Sequence, residues 1–330
     1  MKKRGRIAFI TTPEYRNKHS QKIEEFIYKY LYRLCNSFEV LSTGRTYGHI
    51  MNFISLPSEK LDRKRIEEGV QFSIETDDDL IRWRKTIEHG LVPLRTSISG
   101  MIELELELVE GRLDAVIHLT DWADVAGKPD SMVLRREANV HNIPIASDFY
   151  SAASAVTTWM GLLARTPPDE LIFTQRNPPS ILPLEGLTST HKVLALIAHD
   201  QKMLDMCRFV VQHAKKIFEE FDYILAPGTT AQQVEQFALA AGRTRQEVNK
   251  IRFCLSGPDG GDVQIAAAVV KKLCQKVIFL QDPYTSHAHE TDIRLFEQAV
   301  LLFERTALAE GVEVEFATNL ASAKAILGIS

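Results

Sequence analysis

Val193-Leu194-Ala195-Leu196-Ile197, an amphipathic stretch, and then Tyr223-Ile224-Leu225-Ala226-Pro227-Gly228-Thr229-Thr230 form the run that decides the fold. The outer pieces read as short strands with few polar positions. Between them Leu204, Cys207, Val211, Ala214, Ile217 and Phe221 recur at mostly three- and four-residue steps, the stripe of a helix facing a core. Strands apolar on both faces and joined by a helix predict a parallel sheet covered on both sides. Outward from this run, Val277-Ile278-Phe279-Leu280-Gln281-Asp282 adds a strand ending in a carboxylate. Glu315-Phe316-Ala317-Thr318-Asn319 adds a last strand and a helix start.

The first half follows the same plan. Arg6-Ile7-Ala8-Phe9-Ile10 opens it, Phe38 to Ser42 leads into Thr43-Gly44-Arg45-Thr46, Ala115 to Leu119 leads to Asp121, and Pro144 to Asp148 closes it. Duplication of one α/β unit is the economical reading. The expected division is a first domain at 1–162, a Pro-rich linker at 163–190 and a second domain at 191–330. Residues near 57–96 read as a charged, solvated insertion without chemistry, with helices over Lys60 to Glu68 and Asp77 to Glu88.

The 330 residues, 45% hydrophobic and 25% charged, suit two globular domains. A net charge of −4 provides no global basic field, so neither nucleic acid nor a membrane surface is an expected partner. A small phosphorylated substrate remains compatible, because converging backbone N–H groups bind phosphate even within an acidic protein. The four cysteines are dispersed, with no metal-type or disulfide-type spacing, which fits a reducing compartment. The apolar segment after the basic residues 2–6 is too short for a signal peptide, and Thr157 and Thr158 break the apolar stretch at 152–164. The expected location is the cytoplasm.

Polar residues gather at the C-terminal ends of the second half's strands, where open parallel sheets bind ligands. They are His199-Asp200, Gly228-Thr229-Thr230, Ser256-Gly257-Pro258-Asp259-Gly260-Gly261-Asp262, Asp282-Pro283, and the loop carrying His287, His289 and Asp292. Each alone has an ordinary explanation: a helix cap, a tight turn or a solvated loop. His287 receives no role. Their order at successive strand ends is hard to reach by chance.

In that order, residues 192–330 resemble methylglyoxal synthase. The matching stretches are Leu194 to Asp200, Gly228-Thr229-Thr230, Leu255 to Asp262, Asp282-Pro283, His289 to Asp292 and Ala317 to Asn319. The resemblance implies an α/β chain of two doubly wound parallel-sheet (Rossmann-like) domains in tandem, the first one degenerate. It implies a phosphate-eliminating lyase that converts dihydroxyacetone phosphate to methylglyoxal, without metal or organic cofactor, in a homo-oligomer. Asp262 would be the general base, with His289 at the carbonyl oxygen supported by Asp292. Asp282 and Asp200 would hold the site, and His199, Lys202, Thr229, Thr230, Ser256 and Gly257 would surround the phosphate.

The chain departs from the family pattern at several positions. Met203 stands where the family has Lys, and Lys202 sits one residue early, a turn of about 100° on a helix. Pro227 replaces a Thr. In the first half Thr11-Thr12-Pro13, Met101 and Lys128 occupy the His-Asp, base and His positions, while Thr43-Gly44, Thr46, Ser99-Gly100 and Asp121 persist. That half could bind an anion through Arg45 and Thr46, or only complete an assembly. Two alternatives to the lyase stay open: a non-catalytic binding protein resembling the regulatory domain of carbamoyl phosphate synthetase, and an enzyme using a hard divalent metal on the Asp/His cluster.

Overall fold

The computed structural model describes residues 4–57, 61, 76–95, 97–121, 129–167, 170, 173, 182–284, 290–291, 293–300 and 314–329. The chain divides into two compact units, Met1–Pro178 and Pro179–Ser330. The first unit holds strands β1 (Arg6–Thr11), β2 (Glu39–Ser42), β3 (Leu91–Pro93), β4 (Ala115–Leu119) and β5 (Ile145–Ala146). The second holds β6 (Val193–Ala198), β7 (Tyr223–Ala226), β8 (Ile251–Phe253), β9 (Lys276–Leu280) and β10 (Glu315–Ala317).

The sheets run β3-β2-β1-β4-β5 and β8-β7-β6-β9-β10, so each unit orders its own strands 3-2-1-4-5. Every pairing is parallel. This is the Rossmann-like α/β architecture expected from the apolar strands, and it occurs twice. In both units the sequence-first strand lies at the centre, where the strand order reverses and a crevice opens. Thr11 pairs with Leu119 and Ala198 with Leu280, which puts the chain on equivalent footing just beyond each central strand.

The amphipathic stretch of the second unit is not one continuous helix. A single 3₁₀ turn, Asp200–Lys202, precedes the helix Met203–Gln212, and the chain breaks at His213 before the helix Ala214–Glu220. Met206, Cys207, Phe209, Val210, Ile217 and Phe218 form its buried face.

The largest correction concerns 57–96. Residues 76–95 are no insertion: the helix Asp77–Gly90 is a structural layer of the first unit and leads directly into β3. Three aspartates fill its first turn, where they suit the positive end of the helix dipole, and Thr76 and Asp79 form a reciprocal capping box. The charge obscured a core stripe, for Leu80, Trp83 and Ile87 are buried and Trp83 is fully enclosed. The expected helix over Lys60 to Glu68 lies outside the described residues, apart from the buried Leu61. At the other boundary the helix Phe149–Arg165 runs three residues into the expected linker. Among the described residues no helix is long and apolar enough to cross a membrane.

Two glycines, one in each unit, have opposite surroundings. A Cβ on Gly261 of the second unit would fall inside the van der Waals shell of the Leu255 carbonyl, whereas one on Gly161, in an exposed stretch of the first unit's helix, would meet nothing within 4 Å. Gly261→Ala should therefore cost about 1–3 kcal/mol through forced backbone movement. Gly161→Ala should add up to about 1 kcal/mol by removing backbone entropy from the unfolded chain. Urea denaturation of the two variants should shift the midpoint in opposite directions.

Candidate active site

The second unit's site is assembled at the C-terminal edge of β6, β7 and β9. The backbone N–H of His199 donates to the carbonyl of Leu280 at 3.1 Å, which carries the sheet ladder one residue past β6 and fixes where the side chain starts. The N–H of Asp282 donates to His199 Nδ1 at 2.8 Å. An Nδ1 that accepts leaves Nε2 as the hydrogen-bearing nitrogen of a neutral ring. Phe279 stands edge-on to that imidazole with centroids 5.0 Å apart, which locks its plane.

Gly228, Thr229 and Thr230 are the first three residues of the helix Gly228–Ala240. They are not its cap: Pro227 holds that position and no side chain caps this end. The Gly228 N–H is used on the Leu255 carbonyl at 3.0 Å, so the next two amides form the donor face of the helix start.

The glycine-rich loop crosses over this point. Gly260 has φ +102°, a left-handed conformation that glycine adopts without penalty, and it ends the 3₁₀ turn Gly257–Asp259. Gly261 then starts the helix Gly261–Val270 with its backbone against Leu255. Asp262 follows as the second helical residue, 2% exposed. A carboxylate there faces the positive end of its own helix dipole.

These elements enclose a small cavity of about 80 Å³, room for a few water-sized groups. His199, Asp200, Thr229, Thr230, Gly257 and Asp262 all line it. Met203, Pro227 and Pro258 stand in the same wall, and among the described residues no lysine or arginine lines it. His199 also faces a larger cavity of about 760 Å³, together with Lys202, Asp205, Asp282 and Glu290.

The sequence-named residues thus separate. Six meet in the small cavity. Lys202 and Asp282 line the neighbouring one, with Lys202 Nζ 3.9 Å from the Asp205 carboxylate. Lys202 ends the 3₁₀ turn and lines the neighbouring cavity, while Met203 stands in the wall of the small one. Ser256 lines neither cavity, because its hydroxyl donates to Asp259 and ties the loop to itself. His289 and Asp292 lie outside the described residues. Among the described residues no group of three or more His, Cys, Asp or Glu side chains is placed to hold a metal.

Two supporting residues were not singled out from sequence. Phe279 orients His199, and a strand phenylalanine carries no signal of that. Gln264 does carry one, being the sole polar side chain besides Asp262 in an otherwise apolar helix. It is fully buried, and its Oε1 accepts from the Leu255 N–H at 2.8 Å, pinning the loop from below.

No family model matches the chain. A methylglyoxal synthase of Thermus thermophilus is 39% identical over 136 residues, 41% of this chain and 92% of that protein. One from Clostridioides difficile (strain 630) is 37% identical over 131 residues, 40% of this chain and 81% of that protein. A solved methylglyoxal synthase from Elizabethkingia anophelis covers 43% of this chain and 79% of its own, at 28% identity and a TM-score of 0.31.

Gln264→Leu should leave the Leu255 amide without its acceptor at nearly constant volume. The expected cost is about 1–3 kcal/mol in urea denaturation. Hydrogen exchange at Leu255 should accelerate by more than at the amides of β6.

Proposed function

The chain belongs to the methylglyoxal synthase family, and from that membership we propose that its second unit eliminates phosphate from dihydroxyacetone phosphate to give methylglyoxal. The observation that carries the proposal is the convergence of Asp262 with Thr229, Thr230 and Gly257 on one small cavity at the end of the central strand. A buried carboxylate beside a helix start suits a substrate that is a carbon acid at one end and a phosphate ester at the other.

In this reading the amides of Thr229 and Thr230 and the Thr230 hydroxyl receive the phosphoryl oxygens. Asp262 removes a proton from the hydroxymethyl carbon next to the carbonyl. The electron pair moves onto the carbonyl oxygen as an enediolate, where a donor must meet it. His199, holding its hydrogen on Nε2, is one such donor, and His289 is the one the family resemblance names. The hydroxyl proton on the deprotonated carbon passes to the former carbonyl oxygen, and the alkoxide so formed closes to the aldehyde. The double bond shifts toward the phosphate-bearing carbon, and phosphate leaves with the electrons of its carbon–oxygen bond. The enol that remains ketonises to methylglyoxal as Asp262 gives its proton to the terminal carbon and the phosphate takes the enol proton. Asp200 stands at the rim, while Asp282 acts through its backbone by orienting His199.

A second reading rests on the charge of the cavity. Met203 and Pro227 supply no cation to a wall that already carries Asp200 and Asp262, which favours retention of a phosphorylated metabolite without turnover.

The two readings separate in one assay. With EDTA present, methylglyoxal release from dihydroxyacetone phosphate is expected, and Asp262→Asn should lower kcat by about 10²–10⁴-fold. Met203→Lys should lower KM by about tenfold, since a charged donor adds about 1.5 kcal/mol over none. Ser256→Ala should change neither constant more than about twofold, because its hydroxyl serves Asp259. Folded protein that binds the substrate and releases no methylglyoxal would move the assignment to the binding reading.

A further inference from the structure

The helix Phe149–Arg165 of the first unit has an exposed face without charge. Asp148 caps its start, the carboxylate accepting from the N–H groups of Tyr150 and Ser151. From Phe149 to Ala164 no residue is acidic, basic or histidine, in a chain that is one-quarter charged. Phe149, Ala152, Val156 and Trp159 turn into the core. The opposite face holds Tyr150, Ser154, Thr157, Thr158, Gly161 and Leu162, all exposed. Tyr150 is 71% exposed and Leu162 41%. A solvated helix face ordinarily carries charge, as the helix Asp77–Gly90 does at Asp78, Arg82, Lys85 and Glu88. An uncharged face of this length, with a large aromatic and a leucine on it, is the kind that a protein contact covers.

The ends of the helix carry what its middle lacks. Arg165 closes it, exposed and without an ion-pair partner among the described residues. At the start Asp148 is an anion, and the Tyr150 ring beside it already takes a cation, with Lys22 Nζ 5.2 Å from its centroid. Such unlike ends meet when two copies of the helix pack antiparallel. At a rise of about 1.5 Å per residue, a pair centred between Thr157 and Thr158 sets Arg165 of one copy level with Tyr150, and near Asp148, of the other. Gly161 then lies level with Ser154, and these small residues let the backbones approach; a Cβ on Gly161 would meet nothing within 4 Å in the single chain. The two helix dipoles run in opposite directions. A parallel pair would instead set Arg165 on Arg165 and Asp148 on Asp148. The face therefore complements itself, as a two-fold contact requires, and it does so without adding charge to a chain whose net charge of −4 opposes self-association elsewhere.

We propose that the first unit binds a second copy of this chain through the exposed face of the helix Phe149–Arg165, in an antiparallel two-fold contact about Thr157 and Thr158. The inference does not depend on turnover in the second unit. A contact that spans about 22 Å of helix is small for a specific interface, so the pair should dissociate in a range of about 1–100 µM.

The test is sedimentation velocity on the full chain over a concentration series, with the fold of each variant checked by circular dichroism. Thr158→Arg and Thr158→Glu each set like charges across the two-fold axis and should raise the dissociation constant by at least about tenfold. Mixed in equal amounts, the two variants should associate again, since unlike charges then face each other. Arg82→Glu, on another exposed helix of the same unit, should leave the constant unchanged. A natural chain that stays monomeric at about 1 mM, well above the expected range, would overturn the proposal. So would an assembly that neither Thr158 variant loosens, because the contact would then lie on another surface. Variants that dissociate singly and fail to associate on mixing would overturn it as well, since the antiparallel pairing about Thr158 requires that rescue.

Discussion

The Leu255 carbonyl is the joint on which the second unit's site turns. It accepts from Gly228 at the start of one helix and lies against Gly261 at the start of another. The second of these helices can begin so close to that oxygen only because Gly261 brings no Cβ to it. That constraint sets where both positive helix ends point, and hence where an anion and a buried carboxylate can meet. Gln264 holds the same residue by its amide, so Leu255 is fixed on both sides of its peptide unit. The Arg95 carbonyl plays the identical part for Gly44 and Gly100. What the two units share is therefore this steric joint and the sheet beneath it, and the side chains arranged around the joint are free to differ.

They do differ, and in opposite senses. In the second unit Asp262 lines the cavity and Met203 stands on its wall, with no lysine or arginine among the described lining residues. In the first, Met101 follows Gly100 as Asp262 follows Gly261, and Arg16 reaches the end of β1. Backbone geometry is preserved in both, because the glycine approach costs several van der Waals contacts if it is altered, whereas exchange of a wall side chain costs the fold little.

Much of this was legible in the sequence, and the illegible parts have physical causes. The strands were readable because they are buried on both faces and so nearly free of polar residues. The motif order gathers His199, Asp200, Thr229, Thr230, Gly257 and Asp262, which line one cavity because residues at the ends of adjacent parallel strands share one edge of the sheet. The helix over Asp77 to Glu88 was legible, but its place in the fold was not, because its charge density, concentrated in caps and on the solvent side, outweighed a stripe of only three large apolar residues. For Ser256, sequence cannot tell whether a loop hydroxyl faces a ligand or the neighbouring Asp259, to which it donates here. The side taken by Lys202 depends on a single 3₁₀ turn, a local winding that no hydrophobic period records.

The charge on the wall also bears on how a phosphate could be held and released. Neutral amides and hydroxyls give roughly 0.5–1.5 kcal/mol each, against about 1.5–3 kcal/mol for bonds to a charged partner. A cavity with Thr229, Thr230 and a helix start but no lysine or arginine among its described lining residues therefore grips a dianion weakly, and two carboxylates in the same wall weaken it further. For an elimination this is not wholly a loss, because the leaving group is also an anion, and a site that binds it tightly is slow to empty. Binding spent equally on substrate and product does nothing for the barrier between them. A donor that meets the enediolate alone does lower it, and His199, fixed by Asp282 and Phe279, is built to be rigid rather than strongly charged. In the proposed elimination, the cavity's stiffness would serve the carbonyl end of the substrate and its economy of charge the phosphate end.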